Sequence, residues 1–286
     1  MPRPEVMRHM LAGANLGLTT NRQVNSAFYH VLCARDIIDN CVVSNETRER
    51  SYLFPLYLYP DMSKAGLWDA TEPLPNTPGH RRANLAPEFI ADCAARLGLR
   101  WVEDGKGDGR ATFGPEDVFA YIYAVLHAPG YRERYAEFLK SDFPRVPVTS
   151  DAELFWALVS AGERLVGLHL MERRAPALTR YPVRGSNRVE RVWYADAPTV
   201  DESDGEPDRV WINESQYFAG VPRAVWEFHI GGYQVCEKWL KDRKGRVLSF
   251  DDLEHYQSMV AALAETRLLM EGIDEVIEEH GSWPLN

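Results

Sequence analysis

The stretch RVWINESQYFAGVPRAVWEFHIGGYQVCEKWLKDRKGR, from Arg209 to Arg246, holds the densest set of structural signals in the chain. Alternation of Val210 and Ile212 with more polar neighbours predicts a short strand. Pro222 predicts a helix start, because proline in the first turn lacks only a donor that the helix end leaves unpaired anyway. We expect Gly231-Gly232 to end that helix before a second helix begins. The stretch therefore predicts mixed α and β structure.

The second of these helices, predicted from Tyr233 to Leu240, ends in a cluster of cations. The cluster contains Lys238, Lys241, Arg243, Lys244 and Arg246. Cations suit the negative end of a helix dipole, so a capped and solvated helix end is the simplest interpretation. The same cluster could hold phosphates, and the residues alone leave both interpretations open.

The composition is that of an ordinary globular protein. The chain has 286 residues, 45% of them hydrophobic, which is enough for one large domain or two smaller ones. No window approaches a membrane span and the N-terminus lacks the apolar core of a signal peptide, so we expect a cytoplasmic location. Four cysteines without CxxC spacing predict reduced thiols rather than a zinc site.

The charge is unevenly distributed along the chain. Residues 251–286 contain nine acidic residues and one basic residue, a balance of −8, so the other 250 residues carry only −2 of the total of −10. Residues 172–194 contain six arginines and two glutamates, a local balance of +4. Phosphate binding depends on a local face rather than on the total charge, so a DNA partner is allowed but not implied.

The N-terminal segment ends a predicted strand with three polar side chains. Leu16 and Leu18 alternate with small residues before the tip formed by Asn21, Arg22 and Gln23. Arginine matches the two acceptors of guanine, and asparagine or glutamine matches the donor and acceptor of adenine. The tip is a candidate for contacts with base edges, although hydrogen bonds to a neighbouring loop are the simpler explanation.

Apolar periodicity predicts the remaining elements. Strands are expected at Phe28–Ile38 and Tyr52–Tyr59, separated by the polar loop Ser44–Arg50. Surface loops are expected at Asp61–Asn84 and Asp196–Asp208. Helices are expected at Glu5–Leu11, at Pro87–Leu97, after Gly114, at Tyr131–Leu139, at Asp151–Arg173, and after Ser249, where Asp252 completes a capping box.

The segment from Arg173 to Tyr194 is the most basic part of the chain. It is predicted to form a hairpin around Gly185-Ser186-Asn187, with Arg184 and Arg188 beside the turn. A hairpin lined with arginines could follow a phosphate backbone or enter a groove.

Catalytic motifs are absent from the sequence. It contains no GxGxxG, GxxxxGK[ST], HExxH or GxSxG pattern. His229 is the one histidine in an unusual setting, beside Glu227 and the double glycine. A hydrolase therefore stays open as an alternative only if a pocket places a histidine near a carboxylate.

Three long motifs nevertheless point to a family. NLGLTTNRQ (Asn15 to Gln23), YIYAVLHAPGYRERYAEFLKSDFPRVP (Tyr121 to Pro147) and the opening stretch together resemble the C-terminal specificity region of type ISP restriction-modification enzymes. These enzymes are single-chain DNA adenine methyltransferases fused to a helicase-like motor and a nuclease. The likeness runs through nearly the whole chain.

The resemblance implies a sequence-specific module for double-stranded DNA that has no catalytic residues of its own. It would place a target adenine in a methyltransferase domain located upstream or on another chain. S-adenosylmethionine, ATP and Mg would bind only to those other modules, and no cofactor or metal is expected here. A scaffold that ties the modules together without touching DNA is the main alternative.

Candidate DNA-binding residues lie in four places. They are Asn21, Arg22 and Gln23 at the strand tip, Arg48 and Arg50 on the next loop, Arg184, Asn187 and Arg188 at the basic hairpin, and Lys241, Arg243, Lys244 and Arg246 at the helix end. The expected fold class is α+β.

Four segments are predicted along the chain. They are a strand-rich recognition subdomain at 1–110, a helical segment at 111–175, a basic hairpin and acidic loop at 176–220 that joins the recognition part, and a C-terminal helical segment at 221–286.

Overall fold

The computed structural model describes residues 4–43, 50–60, 81–195 and 208–285. The chain forms two compact units, one made of Met1–Val166 with Met270–Asn286 and the other of Gly167–Leu269; we call them unit 1 and unit 2. Both contain helices and short strands, so the predicted α+β class is confirmed. Residues 176–220 belong to unit 2 together with residues 221–269. The division into four segments stays a prediction. No described helix combines the length and apolar composition needed to cross a membrane.

Unit 1 opens with a helix and a three-stranded antiparallel sheet. After helix α1 (Pro4–Leu11), the central strand β1 (Gly17–Asn21) pairs with β2 (Val31–Ala34) on one side and with β3 (Ser51–Pro55) on the other. The outer strands are shorter than predicted. In the register of the sheet, Asn21 lies opposite Ser51.

The rest of unit 1 is mainly helical. Its elements are β4 (Tyr57–Leu58), β5 (Arg82–Ala83), α2 (Pro87–Leu97), β6 (Arg100–Trp101), β7 (Thr112–Phe113), α3 (Pro115–His127), α4 (Pro129–Arg134), α5 (Ala136–Ser141) and α6 (Ala152–His169), the last of which ends in unit 2. Phe119, Tyr123 and Leu126 of α3 are buried, as their helical spacing predicts. The predicted helix Tyr131–Leu139 is divided between α4 and α5.

Unit 2 surrounds its own apolar core. Its elements are β8 (Trp193–Ala195), β9 (Arg209–Trp211), β10 (Tyr217–Phe218), α7 (Arg223–Trp226), β11 (His229–Ile230), β12 (Tyr233–Gln234), α8 (Val235–Lys241) and the first two thirds of α9 (Phe250–Glu279). The core joins Val210 and Phe218 of the sheet to Leu240 of α8 and Tyr256 of α9. The capping box of α9 is confirmed, because the amide of Asp252 donates to Ser249 Oγ at 3.1 Å and the amide of Ser249 donates to Asp252 Oδ2 at 3.0 Å.

The prediction of a helix from Pro222 to the double glycine is wrong. Helix α7 lasts only one turn, with Pro222 as its N-cap residue, and β11 and β12 then form a hairpin with Gly231-Gly232 at its turn. Gly231 has φ of 56°, in the left-handed region that glycine tolerates. The Gln234 side chain donates to the carbonyl of Trp226 at 2.6 Å, which satisfies the end of the short helix.

The predicted hairpin between Arg173 and Tyr194 is also wrong. Its residues pair with other parts of the chain: Arg180 with Ala219, Arg188 with Val247, and β8 with β9. Non-local partners therefore outcompete the local turn. Most residues of the predicted loops Asp61–Asn84 and Asp196–Asp208 lie outside the described residues, and Arg82–Ala83 of the first loop form β5.

Helices α3 and α6 approach so closely at Gly162 that a side chain there would collide with backbone. A Cβ atom on Gly162 would lie 1.9 Å from the carbonyl oxygen of Ala120. We expect Gly162→Ala to lower the free energy of unfolding by about 1–3 kcal/mol through overpacking, measured by urea denaturation.

Gly272→Ala in α9 is the matched control for this prediction. A Cβ atom there meets no neighbour within 4 Å, so the greater helix propensity of alanine should raise the free energy of unfolding by about 0.5–1 kcal/mol. Equal effects of the two substitutions would contradict the close approach of the helices.

Candidate nucleic-acid interface

Two basic segments that are distant in the sequence are paired in unit 2. The amide of Val189 donates to the carbonyl of Arg246 at 2.9 Å, and the amide of Leu248 donates to the carbonyl of Asn187 at 2.8 Å. An antiparallel bridge joins Arg188 to Val247. Two predicted groups thereby become neighbours, and we call them the basic patch: Arg184, Arg188, Lys241, Arg243, Lys244 and Arg246.

The buried side chain of Gln216, at the start of β10, holds the loop that carries Arg184 and Arg188. Its Nε2 donates to the carbonyl of Val183 at 3.0 Å and to Asn187 Oδ1 at 2.8 Å. Its Oε1 accepts from the amide of Asn187 at 2.8 Å and from Asn213 Nδ2 at 3.1 Å. All of the hydrogen-bonding capacity of this amide is therefore used within the protein.

The conformation of this loop favours asparagine at position 187 and glycine at position 185. Asn187 has φ of 53°, a left-handed conformation that asparagine adopts more readily than most residues. A Cβ atom on Gly185 would lie 2.6 Å from Gln216 Cδ, so glycine allows the loop to pack against the glutamine. Asn187 Oδ1 also accepts from the Tyr181 hydroxyl at 3.3 Å. The predicted DNA contact at Asn187 is thus a side chain engaged in holding the loop.

Four cations of the basic patch are exposed and have no ion pair in the part of the chain that the structure describes: Arg184, Arg188, Lys244 and Arg246. The Arg188 guanidinium donates to the carbonyl of Gly245 at 2.5 Å, which places it on the turn that carries Lys244 and Arg246. Lys241 differs, because it pairs with Glu237 at 2.8 Å. The patch therefore combines a backbone-anchored arginine with cations that are free to meet an anion.

Arg243 is fixed by packing rather than free in solvent. Its guanidinium carbon lies 3.5 Å from the ring centroid of Trp239, and its Nε lies 3.6 Å from Asp252 Oδ1. The amide and hydroxyl of Ser249, together with the nearby charges of Arg243 and Arg246, hold the pKa of Asp252 below its ordinary value. Arg243 thus links α8 to the start of α9, and its charge is partly offset by a carboxylate.

The strand tip in unit 1 is only partly available for contacts. Asn21 is fully buried, and its amide atoms have no hydrogen-bond partner among the described residues. Arg22 is exposed and its Nε donates to Asp142 Oδ1 at 2.9 Å. Gln23 Nε2 makes a long contact of 3.5 Å with the carbonyl of Ser141. Hydrogen bonds to a neighbouring loop, the simpler interpretation of this tip, are present.

Arg50 adds a second exposed cation to this end of the sheet. Because Asn21 pairs with Ser51, Arg22 and Arg50 leave the antiparallel strands β1 and β3 at the same end. Arg48 lies outside the described residues. The candidates consequently fall into a tip group in unit 1 and the basic patch in unit 2.

Sequence reasoning missed Gln216 and an aromatic row on the sheet of unit 2, formed by Trp193, Trp211 and Tyr217. A tripeptide, Arg-Val-Trp, occurs at 191–193 and again at 209–211, and this repetition was the available signal for the row. No comparable signal marks Gln216, because three of its four hydrogen bonds go to residues 183–187, which are distant in the sequence.

His229, His255 and His280 do not combine a pocket with a hydrogen-bonded carboxylate, which is the arrangement that a hydrolase needs. His229 is exposed, and its Nδ1 lies 2.7 Å from the carbonyl of Glu227 rather than near a carboxylate. His255 lines an open cleft of about 510 Å³ in unit 2, where its ring stacks on Trp239. His280 does meet a carboxylate, Asp151 Oδ2 at 2.6 Å, but Asp151 caps the start of α6.

The described ranges contain no candidate metal site, because no three His, Cys, Asp or Glu side chains are grouped there to bind an ion. The cysteines in those ranges form no disulfide, and Cys93 and Cys236 are buried whereas Cys33 and Cys41 are half-buried.

Comparison with known proteins identifies one family. The model of the Type ISP C-terminal specificity domain matches residues 1–272. No curated protein sequence matches the chain.

Several solved structures share the fold. A nuclease-deletion mutant of the Type ISP restriction-modification enzyme LlaGI, in complex with a DNA substrate mimic, is 19% identical, with a TM-score of 0.58 over 91% of this chain and 21% of that chain. The ATP-dependent Type ISP enzyme LlaBIII bound to DNA is 17% identical, with a TM-score of 0.60 over 91% and 16%. The DrdV–DNA complex is 20% identical, with a TM-score of 0.62 over 96% and 25%. The chain thus spans at most a quarter of these proteins.

Replacing Gln216 should loosen the loop that carries Arg184 and Arg188. Gln216→Ala leaves the half-buried backbone amide of Asn187 without an acceptor and removes one of the two acceptors of Asn213 Nδ2, so we expect the free energy of unfolding to fall by about 2–3 kcal/mol in urea denaturation. Hydrogen exchange at the Asn187 amide should accelerate. Gln23→Ala, which removes one long exposed contact, is the control and should change neither quantity. An unchanged Asn187 exchange rate would contradict the role of Gln216.

Proposed function

This chain belongs to the family of Type ISP C-terminal specificity domains, and we propose that it recognises a short sequence in double-stranded DNA for a type ISP-like restriction-modification system. In this proposal it holds the DNA while a methyltransferase module, upstream or on another chain, modifies an adenine. The chain itself supplies sequence choice and grip, and catalysis belongs to the other modules. S-adenosylmethionine, ATP and Mg bind to those modules.

The basic patch is the observation that carries the proposal. Two segments that are separate in the sequence converge through hydrogen bonds between residues 187–189 and 245–248, and together they present exposed cations. Phosphate contacts fix the position of a protein on a duplex, and lysine and arginine supply most of them. The solved structures that share the fold support DNA as the partner, since all three contain DNA or a DNA mimic.

The overall charge of −10 is compatible with this assignment. Exposed charges separated by more than the Debye length, about 8 Å at physiological ionic strength, are largely screened. DNA bound at the basic patch would lie within that distance of Arg188, which is held on the turn that carries Lys244 and Arg246. Acidic side chains of α9 beyond that distance are therefore screened from the basic patch, whereas Asp252 partly offsets the charge of Arg243.

Base recognition is assigned to the tip group rather than to the patch. Arg22, Gln23 and Arg50 are exposed at one end of the sheet of unit 1. Arginine and glutamine side chains have the donors and acceptors that distinguish guanine and adenine. To contact a base, Arg22 must break its ion pair with Asp142. This costs little free energy, because both side chains are exposed.

A scaffold role is the second candidate function. Tyr52 and Phe54 of β3 are exposed and contact the ring of Phe143 edge-on, with centroid distances of 5.0 and 5.4 Å. Exposed aromatic clusters are typical of protein interfaces. A module that only docks to its neighbours would use this cluster and would not bind DNA.

The salt dependence of duplex binding tests the proposal. Each phosphate contact contributes about 0.9 to the slope of log K against log salt concentration. The double substitution Arg184→Ala and Lys244→Ala should therefore make the slope less steep by about 1.8 and should weaken binding most at low salt. Both side chains lack an ion pair among the described residues, so the fold should tolerate the change. Electrophoretic mobility shift at several salt concentrations measures the slope.

The control removes the same two charges elsewhere. Arg96 pairs with Asp92, and Lys106 pairs with Glu163, both at 2.8 Å. Arg96→Ala with Lys106→Ala should leave the slope unchanged, although the net charge is identical to that of the test variant. Absence of duplex binding by the wild-type protein at low salt would overturn DNA recognition and favour the scaffold.

A further inference from the structure

The repeated tripeptide Arg-Val-Trp occupies two neighbouring strands of unit 2. Trp193 of β8 lies directly opposite Trp211 of β9, and Trp211 in turn lies opposite Tyr217 of β10. The indole rings of Trp193 and Trp211 are parallel, with an interplanar angle of 2° and a centroid distance of 5.4 Å. The rings of Trp211 and Tyr217 are 4.6 Å apart. The three side chains form one continuous aromatic row across the sheet.

The aromatic row lies on the face of the sheet opposite to Val210 and Phe218, with its Tyr217 end buried and its tryptophans more exposed. Successive strand residues point to opposite faces, and the adjacent residues Tyr194, Val210 and Phe218 pack in the apolar core of unit 2. Trp193 and Trp211 are only half-buried. Burial in the core therefore does not explain why two tryptophans occupy this face.

An arginine lies at each end of the aromatic row, because the two tripeptides run antiparallel. The guanidinium carbon of Arg209 is 4.4 Å from the ring centroid of Tyr217, and that of Arg191 is 5.6 Å from the ring centroid of Trp193. Neither arginine has an ion pair with a carboxylate in the described part of the chain. Arg209 is 4% exposed, and its Nε has no hydrogen-bond partner among the described residues.

Sheet stability alone does not account for this arrangement. A cross-strand aromatic pair stabilises a sheet by about 0.2–1 kcal/mol, which explains the contact between Trp193 and Trp211. It does not explain two arginines without carboxylates, one of them buried, since an unpaired buried cation is costly. Aromatic rings flanked by unpaired cations are the combination that binds the bases and phosphates of single-stranded nucleic acid.

We propose that the aromatic row is a stacking site for an unpaired nucleobase of single-stranded DNA. Trp193 receives the base, because β8 is an outer strand of the sheet, and the exposed Arg191 beside it contacts the adjoining phosphate. A base within a duplex already stacks on both of its neighbours, so this site selects unpaired bases. The site uses residues other than those of the basic patch, and the proposal does not depend on recognition of a duplex sequence.

Two oligonucleotides of equal charge test the proposal on the unmodified protein. One is a fluorescein-labelled oligothymidylate of about a dozen nucleotides, within the range of known single-strand site sizes, and the other is an abasic strand of the same length. Fluorescence anisotropy should show tighter binding of the thymidylate by about tenfold, the effect of stacking one base. Equal affinity for the two strands would overturn the proposal, because phosphates alone would then explain binding.

Variants locate the site. Trp193→Ala should lower the affinity for oligothymidylate by about tenfold, and Trp193→Phe, which keeps an aromatic face, should recover most of it. Phe250→Ala is the matched control, because Phe250 is an aromatic side chain with 77% exposure in the same unit and outside the row. Wild-type affinity in Trp193→Ala, or an equal loss in Phe250→Ala, would overturn the assignment to Trp193.

Binding to a duplex of the same length distinguishes the stacking site from duplex recognition by the basic patch. Trp193→Ala should bind the duplex as the wild type does, whereas Arg184→Ala with Lys244→Ala should bind it more weakly. If the thymidylate and the duplex lose affinity together in Trp193→Ala, stacking of an unpaired base is wrong. If Arg184→Ala with Lys244→Ala binds the duplex as tightly as the wild type does, duplex recognition is wrong and the stacking site stands.

Discussion

The amide of Gln216 is the interaction on which the organisation of unit 2 depends. It is fully buried and forms four hydrogen bonds that link β10 to residues 183–187 and to Asn213. Asn213 in turn donates to the carbonyl of Arg188 at 3.0 Å. A buried polar group that is fully satisfied favours one arrangement, since every alternative leaves donors or acceptors unpaired. A small set of amides thereby selects one path for a loop that has little regular structure.

This arrangement separates the stability of the interface from its charges. Three backbone hydrogen bonds bring residues 187–189 to residues 245–248, and the Arg188 guanidinium adds a fourth. The apolar side chains of Val189 and Leu248 are buried beneath them. The cationic side chains extend from this framework, and most have no partner that the fold requires. Exposed charges contribute little to folding, so their identity can change without loss of the structure.

The accuracy of sequence reasoning depended on how local each interaction is. The strand at Arg209 and the capping box of Ser249 and Asp252 were predicted because the residues that form them lie close together in the chain. The hairpin at Arg173–Tyr194 was mispredicted because Arg180 and Arg188 pair with residues far along the chain. The helix at Pro222 was extended too far because the left-handed conformation of Gly231 serves a hairpin turn as well as a helix end.

The candidate site shows the same limit. The charges at Arg184, Arg188, Lys244 and Arg246 were identified individually, but only the pairing of Arg188 with Val247 shows that they are neighbours. At the strand tip, residue type suggested contacts for Asn21, yet this side chain at the end of β1 is fully buried. Residue chemistry indicates what a side chain can bind, whereas its accessibility depends on pairings that composition does not encode.

Unit 1 is discontinuous in the sequence, since it is completed by Met270–Asn286 after the whole of unit 2. Gly167–Leu269 is therefore an inserted cassette, and both of its boundaries fall inside helices, α6 and α9. An exchange of this cassette between relatives must keep the rotational phase of both helices, because one added or deleted residue turns every following side chain by about 100°. Chimeras joined within these two helices should accordingly be made without insertions or deletions, whereas a fragment cut after Val166 would lack the final part of unit 1.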